Sequence, residues 1–258
     1  MNEATALGAR VLADERRATL AAKLTAAVLA GNPAPPGTAR PPLAGSPVDR
    51  VDTLGNPYWR IVRNLPTEAG EGGDAPTTSW TFAATAVRNQ VRAAGLDRRA
   101  LCRRYSWSIP TPGDIAWISG IAGGRGVVEL GAGGGYWAAL MRAAGIDILA
   151  FDPFPACRTN GCATRAHTAV EPGDDTMAAR HGDRALFLCW PSYNDPWAAR
   201  ALAAYRGDTL IYAGQDADGC TADDAFFELL EQDWELVDTS AEHVTFRGVP
   251  CRLTAWRR

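Results

Sequence analysis

The stretch that decides the fold is VVELGAGGGYWAAL, residues 127–140. Its apolar start predicts a buried strand, the four glycines within residues 131–135 predict a tight turn, and the alanine-rich remainder predicts a helix. Glycine lets the backbone of such a turn approach a ligand closely, because a Cβ atom would clash with the ligand or forbid the turn. The stretch therefore predicts a ligand site between a strand and a helix.

The chain after Trp107 alternates between predicted strands and predicted helices. The predicted strands lie in GVVEL, IDILAFD, HTAVEPGD, RALFLCW, DTLIYAG, WELVDTS and CRLTAWRR. This alternation implies right-handed crossovers and a parallel sheet with helices on both faces. Only about ten residues join the last two strands, which is too few for a helical crossover, so we expect these strands to pair antiparallel.

Two familiar nucleotide-binding turns fit the glycines poorly. A dinucleotide fingerprint has glycine at its first and third positions and glycine or alanine at its sixth. Gly131 and Gly133 satisfy the first two, but the sixth position is Tyr136, which is bulky where the helix must approach the strand closely. A P-loop is excluded because no Gly-Lys-Ser/Thr follows.

A third pattern fits better. Residues 129–135, Glu-Leu-Gly-Ala-Gly-Gly-Gly, resemble motif I of the class I S-adenosylmethionine-dependent methyltransferases, which is an acidic residue, one further residue and Gly-x-Gly-x-Gly. Asp152 ends the second predicted strand, where that family places the carboxylate that accepts both ribose hydroxyls. Asp174 follows the third strand, where the family often recognises the adenine amino group. The resemblance covers residues 105–258 and implies a Rossmann-like, seven-stranded, mostly parallel sheet whose last strand is antiparallel.

The same resemblance implies S-adenosyl-L-methionine as the cofactor and S-adenosyl-L-homocysteine as the product. Tyr105 and Trp107 precede the first strand, where family members often fold a segment over the methionine part of the cofactor, and a cation–π contact with the sulfonium is compatible with their rings. The alternative is that both are core aromatics. The predicted cofactor-binding residues are Tyr105, Trp107, Glu129, Gly131, Gly133, Gly135, Asp152, Asp174 and Trp190.

The segment after the fourth strand is the predicted acceptor pocket. Amino-methylating members of the family often carry Asn/Asp-Pro-Pro-Tyr there, whereas this chain has WPSY at residues 190–193. Tryptophan thus replaces the residue that accepts a hydrogen bond from the target nitrogen, and the aromatic pair favours a flat or apolar acceptor. Trp190 as a shield for the adenine, or as a core residue, is the alternative. The predicted substrate-binding residues are Trp190, Tyr193, Gln215 and Arg247.

Methyl transfer needs a base only where the accepting atom carries a proton. His243, between the last two strands, and Asp216, after the fifth strand, are equal candidates, and Tyr193 completes the predicted catalytic set. A purely structural role for His243 is the alternative. No metal is predicted, because the closest cysteine pair, Cys157 and Cys162, has no second pair to complete a zinc site.

The first part of the chain has a different character. Residues 1–104 are predicted to form a helical extension with a proline-rich linker at 32–47, followed by the methyltransferase domain at 105–258. The extension is a candidate lid over the acceptor or an arm for homodimerisation through its helices. No chemistry of its own is expected from it.

The composition narrows the function classes. Apolar residues make up 47% of the chain and charged residues 21%, which is enough for a substantial core. The formal net charge of −3 argues against non-specific binding of nucleic acid, which needs a basic surface. The sequence has no apolar run of about 18 residues, so no membrane span is predicted. The N-terminus does not resemble a secretory signal, so we expect a cytoplasmic protein.

These observations predict S-adenosylmethionine-dependent methyl transfer to a small molecule or short peptide, in specialised biosynthesis. A protein or tRNA as the methyl acceptor is one alternative. The other is a cyclase or binding protein that holds the cofactor on the same fold without methylating.

Overall fold

The structure is a computed structural model that describes residues 3–31, 54–65, 91–155, 166–246 and 249–258. The predicted proline-rich linker, the Cys157–Cys162 pair and Arg247, which was expected to bind substrate, lie outside the described residues. Among the helices described, none combines the length and the hydrophobicity needed to cross a membrane.

Helices and strands alternate after residue 126, as the sequence pattern predicts. The helices are α1 (Glu3–Gly31), α2 (Pro57–Val62), α3 (Arg98–Arg104), α4 (Pro112–Ala122), α5 (Tyr136–Ala143), α6 (Trp197–Ala204) and α7 (Asp224–Asp233), with a 3₁₀ helix at Asp175–Arg180. The strands are β1 (Val127–Leu130), β2 (Ile148–Asp152), β3 (Glu171–Pro172), β4 (Ala185–Cys189), β5 (Thr209–Gly214), β6 (Glu235–Thr239) and β7 (Arg252–Arg257).

The seven strands form one sheet in the order β3-β2-β1-β4-β5-β7-β6. All neighbouring pairs from β3 to β5 are parallel, whereas β7 pairs antiparallel with β5 on one side and with β6 on the other. This confirms the predicted Rossmann-like methyltransferase fold, including the antiparallel pairing of the last two strands. The strand order reverses between β1 and β4, and an open parallel sheet binds ligands at the carboxyl ends of its strands at such a point.

Capped helices position the segment that precedes the sheet. The Asp97 side chain accepts a hydrogen bond from the backbone N–H of Ala100 at the start of α3. At the start of α4, Thr111 and Asp114 exchange side-chain and backbone hydrogen bonds in a capping box. Residues 105–111 therefore connect α3, which is capped at its start, to the capped start of α4.

The helices of the extension share a hydrophobic core with the sheet. One cluster of buried side chains includes Leu24 of α1 and Trp59 of α2 together with Trp137 of α5 and Phe187 of β4. Tyr136, which argued against a dinucleotide site, links these layers, since its hydroxyl donates to the Asn56 side chain (2.7 Å) and accepts from the backbone N–H of Tyr58 (3.1 Å). The division of the chain at residue 104 stays a prediction, because the core continues across it.

Candidate functional site

A cavity of about 520 Å³ lies where β1, β2 and β4 end, at the reversal of the strand order. Its volume is typical of small-molecule sites. Its walls come from the glycine turn after β1, the residues after β2 and β4, and the segment that ends α3. Eight of the predicted cofactor residues line it: Tyr105, Trp107, Glu129, Gly131, Gly133, Asp152, Asp174 and Trp190.

The glycine turn brings the backbone close to an aromatic wall. Gly131 has a φ of +71°, and a Cβ atom built on it would lie 2.9 Å from the Trp197 ring, which also lines the cavity. A side chain at this position would be both strained and blocked. Trp197 begins α6 after β4. The sequence pattern does not predict that it lines the cavity, because its ring approaches the turn only in the folded chain.

Asp152 is held rigidly at the end of β2. Its Oδ2 accepts a hydrogen bond from the backbone N–H of Gly133, and its Oδ1 accepts one from the N–H of Phe154, both at 2.8 Å. Each carboxylate oxygen keeps a second lone pair for another donor. The predicted ribose-binding carboxylate is thus already oriented on the cavity wall by the chain itself.

Glu129 is the unusual acid of the site. It is only 2% exposed, and its Oε2 has no hydrogen-bond partner among the described residues. Burial raises the pKa of its carboxyl to about 8, against the opposing effects of the Arg142 charge and of a backbone hydrogen bond. An unsatisfied buried carboxylate oxygen is costly. A ligand that donates a hydrogen bond there, above all a cationic one, would satisfy it.

Asp174 is placed differently, at an exposed part of the cavity rim. Its Oδ1 accepts hydrogen bonds from the backbone N–H and the hydroxyl of Thr176, at 3.0 and 2.6 Å, and so caps the 3₁₀ helix. These bonds lower the pKa of the carboxyl. Asp174 is therefore ionised at neutral pH, and its carboxylate can accept a hydrogen bond at the cavity rim.

Part of the cavity wall is aromatic. The Trp107 and Trp190 rings stack with their centroids 6.3 Å apart and their planes 19° from parallel. Trp190 has a φ of +53°, a conformation rare for a bulky residue, and its N–H donates to the carbonyl of Ala213. Backbone strain of this kind persists where the surrounding structure imposes it, and it concentrates at functional sites.

The Tyr105 side chain combines the two roles that the sequence left open. It lines the cavity, yet its ring stacks on Tyr58 at 4.9 Å and its hydroxyl donates to Asp14 of α1. The extension, from which no chemistry was expected, therefore contributes to the site. Cys102 of α3 also lines the cavity, and the Arg98 guanidinium lies over Trp107 and Trp190.

Several predicted site residues do not reach the cavity. A Cβ atom on Gly135 would lie 2.7 Å from a methyl group of Val170, so this glycine is required by packing and not by ligand contact. Tyr193 is 67% exposed and does not line the cavity. Gln215 is buried, and its side-chain oxygen accepts from the N–H of Cys220. Asp216 is exposed and pairs with Arg252 at 3.5 Å.

His243 does not lie in the cavity either, and its predicted role as a base is corrected. Its Nδ1 lies 2.9 Å from Oδ2 of Asp114, and its Nε2 lies 3.3 Å from the Ser108 hydroxyl and 3.4 Å from the Cys251 thiol. Burial alone lowers the pKa of His243, but Asp114 and Cys251 together outweigh it and raise the pKa to about 10. The imidazole is therefore charged at neutral pH and structural.

Comparison with known proteins gives fold-level similarity only. No protein-family model matches the chain, and no curated protein matches it. One similar solved structure comes from a study of the conversion of a disulfide bond into a thioacetal group during echinomycin biosynthesis. Its sequence is 15% identical to this one and the TM-score is 0.41; the match covers 68% of this chain and 93% of that one. Another is magnesium protoporphyrin IX methyltransferase from Synechocystis PCC 6803 with bound S-adenosylmethionine; it is 15% identical with a TM-score of 0.38, covering 69% of this chain and 100% of that one.

Proposed function

We propose that the protein transfers a methyl group from S-adenosylmethionine to a small molecule or short peptide with a flat or apolar body. The observation that carries the proposal is the meeting of three groups in one cavity. These are the glycine turn, the oriented Asp152 carboxylate and the buried Glu129 carboxylate with its unsatisfied oxygen. The cavity lies at the point where the strand order of the sheet reverses, which is where this kind of sheet binds ligands.

Each of these groups fits one part of the cofactor. Asp152 would accept hydrogen bonds from the ribose hydroxyls, because both its oxygens are fixed and each retains a lone pair. Glu129 would pair with the ammonium of the methionine part, which is a cation that donates hydrogen bonds. The backbone at Gly131 would contact the cofactor without the obstruction of a side chain. When bound, S-adenosylmethionine supplies an electrophilic methyl group.

The chain's own contribution to the reaction is positioning and exclusion of water. Trp107 and Trp190 form an apolar wall, and burial raises the pKa of the neighbouring Cys189 thiol well above its ordinary value, so this group stays neutral. Among the described residues that line the cavity there is no histidine. The site is therefore suited to hold a nucleophile in line with the methyl group, and not to activate it with an imidazole base.

Isothermal titration with S-adenosylhomocysteine tests the cofactor assignment. The wild-type protein should bind, and Asp152→Ala should weaken binding by roughly 1.5–3 kcal/mol, the value of a hydrogen bond to a charged group, which is about 10- to 150-fold in affinity. Asp147→Ala is the matched control, since Asp147 immediately precedes β2, at the amino end of the strand that Asp152 ends, and pairs with Arg184. Absence of binding, or equal affinity in both variants, would refute the assignment.

The acceptor class has its own test. Fractions of a cell extract that contain small metabolites, proteins or RNA would each be incubated with the enzyme and S-adenosylmethionine. Methyl incorporation with stoichiometric release of S-adenosylhomocysteine in the metabolite fraction is the expected result. Incorporation confined to protein or RNA would replace the proposed acceptor, and binding of the cofactor without any release of S-adenosylhomocysteine would favour a non-methylating role.

A further inference from the structure

Two carboxyl groups of the cavity lie on neighbouring strands, Glu129 on β1 and Asp152 at the end of β2. Glu129 pairs with Ala150 in the parallel sheet, so Asp152 lies two residues further along the neighbouring strand. Neighbouring strands lie about 4.8 Å apart and each residue adds about 3.3 Å, which places the two Cα atoms about 8 Å apart. Because side chains alternate between the faces of a sheet, both acids project from the same face. They are called the inner carboxyl pair.

The charge of Asp152 disfavours a second negative charge on Glu129. Burial is the main cause of the raised pKa of Glu129, and the charge of Asp152 raises this pKa further. The charge of Arg142 and a backbone hydrogen bond act in the opposite direction. Arg142 does not line the cavity, and its guanidinium donates to three oxygens of other residues. A cation placed between the two acids would therefore relieve their mutual repulsion.

The other charged residues of the lining do not supply such a cation. Among the described residues that line the cavity there are three further carboxylates, those of Asp174, Asp175 and Asp195, and one guanidinium, that of Arg200. Arg200 donates two hydrogen bonds to Asp175, at 2.7 and 3.3 Å. These bonds raise the pKa of Arg200, and the charges of Asp195 and Asp174 add to the effect. Acidic groups therefore predominate at the rim as well as inside.

We propose that the inner carboxyl pair makes the site bind the cationic cofactor more tightly than its neutral product. The proposal rests on the function proposed above. In S-adenosylmethionine the sulfonium sulfur joins the ribose to the methionine side chain. With the ribose hydroxyls at Asp152 and the ammonium at Glu129, the sulfur lies between the two acids. Its positive charge offsets their repulsion, whereas the neutral sulfur of S-adenosylhomocysteine leaves the repulsion in place.

Methyl transfer removes the charge that the inner carboxyl pair attracts. The bond between sulfur and the methyl carbon breaks with its electron pair left on sulfur, so a sulfonium becomes a neutral thioether, while a lone pair of the acceptor forms the new bond to the methyl carbon. The ribose, the adenine and the amino-acid part are the same before and after the transfer. The acids therefore favour release of the product, and we expect S-adenosylhomocysteine to be a weak inhibitor of the protein.

Three ligands of nearly the same shape separate charge from size. Isothermal titration of the full chain would use S-adenosylmethionine, S-adenosylhomocysteine and sinefungin, in which a carbon that bears an ammonium replaces the methylated sulfur. We expect both cationic ligands to bind about 10-fold or more tightly than S-adenosylhomocysteine, because each places one charge near two carboxylates. Equal affinities, or tighter binding of S-adenosylhomocysteine, would overturn the proposal. A preference for S-adenosylmethionine that sinefungin does not share would assign it to the methyl group and overturn the proposal too.

Amide variants of similar volume assign the preference to the inner carboxyl pair. Asp152→Asn and Glu129→Gln each remove one charge, and each should reduce the preference for S-adenosylmethionine over S-adenosylhomocysteine by about 3-fold or more. If Asp152→Asn folds poorly, Glu129→Gln alone is decisive, because a buried amide has no cost of ionisation. Asp174→Asn is the matched control, since Asp174 is exposed at the rim and solvent screens its charge, so the preference should stay within about 2-fold of the wild type. A preference that persists unchanged in the inner-pair variants would overturn the role of the pair.

The wild-type affinities separate this proposal from the one on which it rests. If neither S-adenosylmethionine nor S-adenosylhomocysteine binds, the proposed function is overturned and this inference with it. If both bind with equal affinity, only the inference is overturned and the cofactor assignment stays intact. A preference of about 10-fold for the two cationic ligands that falls in the inner-pair variants supports both proposals.

Discussion

The hydroxyl of Tyr105 donates a 2.6 Å hydrogen bond to Oδ1 of Asp14, a residue of α1 that lies 91 positions earlier in the chain. The same carboxylate oxygen accepts two hydrogen bonds from the Arg104 guanidinium, at 3.2 and 3.0 Å. Asp14 is buried and Tyr105 lines the cavity, so the first helix supports a wall of the site. The contact of Asp14 with Tyr105 and Arg104 is called the brace below. This brace explains why the extension and the sheet share one core.

Tyr105→Phe removes the donor from this brace. The buried carboxylate of Asp14 then loses its shortest hydrogen bond, and the free energy of unfolding should fall by about 1–3 kcal/mol. Urea unfolding followed by circular dichroism measures the change. The control is Tyr193→Phe, at an exposed position, which should leave the free energy of unfolding within about 0.5 kcal/mol of the wild type. Equal effects of the two substitutions would contradict the brace.

Glu129→Gln should make the ligand-free protein more stable at high pH. Because burial raises the pKa of Glu129 to about 8, the folded state binds the proton more tightly than the unfolded state, and stability is lost as the pH rises toward 8. Glutamine carries no such penalty. One pKa unit is roughly 1.4 kcal/mol, so the variant should gain about 2–4 kcal/mol over the wild type at pH 8 and little at pH 5.

The measurement is urea unfolding at both pH values, with Glu235→Gln as an exposed control. The same substitution should weaken the binding of S-adenosylhomocysteine, because the amide cannot pair with the ammonium as an anion. Higher stability of the variant together with weaker binding of S-adenosylhomocysteine would indicate that Glu129 serves ligand binding and not folding. A gain that is independent of pH would show that the carboxyl is not the cause.

His243 should contribute stability that is also lost as the pH rises, but in a higher pH range than for Glu129. Its folded pKa of about 10 lies above the unfolded value of ~6.5. The contribution is therefore fully present below pH ~6.5 and is lost as the pH rises through 10. His243→Gln leaves Asp114 without its cation and should cost about 3–5 kcal/mol at pH 6 and less at pH 10.

Melting temperatures of the two proteins across this pH range give the comparison. His181→Gln is the control, since no carboxylate pairs with His181 among the described residues. A difference between wild type and His243→Gln that does not shrink between pH 7 and pH 10 would exclude the charged pair with Asp114.

Two glycines of the turn should respond differently to alanine. Gly135→Ala adds left-handed strain of about 1–2 kcal/mol and a contact with Val170, so it should destabilise the fold and leave the affinity of the remaining folded protein for S-adenosylhomocysteine unchanged. Gly131→Ala places its methyl group between the backbone and Trp197 inside the cavity, so it should lower that affinity as well. Thermal unfolding and titration on the same samples separate the two effects. Loss of affinity in Gly135→Ala alone would restore its predicted role as a ligand contact.

Much of the fold is predictable from local patterns. The period of the apolar residues marks the strands, the short final connection requires antiparallel pairing, and the glycine turn with Asp152 follows from where strands end. These features depend on the backbone, which obeys general rules. Eight of the nine residues assigned to cofactor binding could therefore be predicted to line the cavity, whereas Trp197 could not.

The residues proposed for the acceptor side could not be predicted in this way, because their placement depends on side-chain directions beyond the strand ends. Tyr193 is exposed and does not line the cavity, and it precedes Asn194, whose φ of +55° no spacing rule reveals. His243 pairs with Asp114, a residue 129 positions away that also belongs to the capping box of α4, and sequence spacing does not reveal this pair. Arg98 lies in a segment typical of an ordinary charged helix, and only its contacts with the aromatic rings of the cavity wall distinguish it.

The position of β7 has a consequence for the edge of the sheet. β6 precedes β7 in the chain, yet it joins the sheet only through β7, which lies between it and β5. Detachment of residues 252–257 would therefore leave the edge of β5 open and β6 without a neighbour. An open strand edge is a template for pairing with other chains. Local unfolding of this one strand would thus promote aggregation even while the rest of the sheet stays folded.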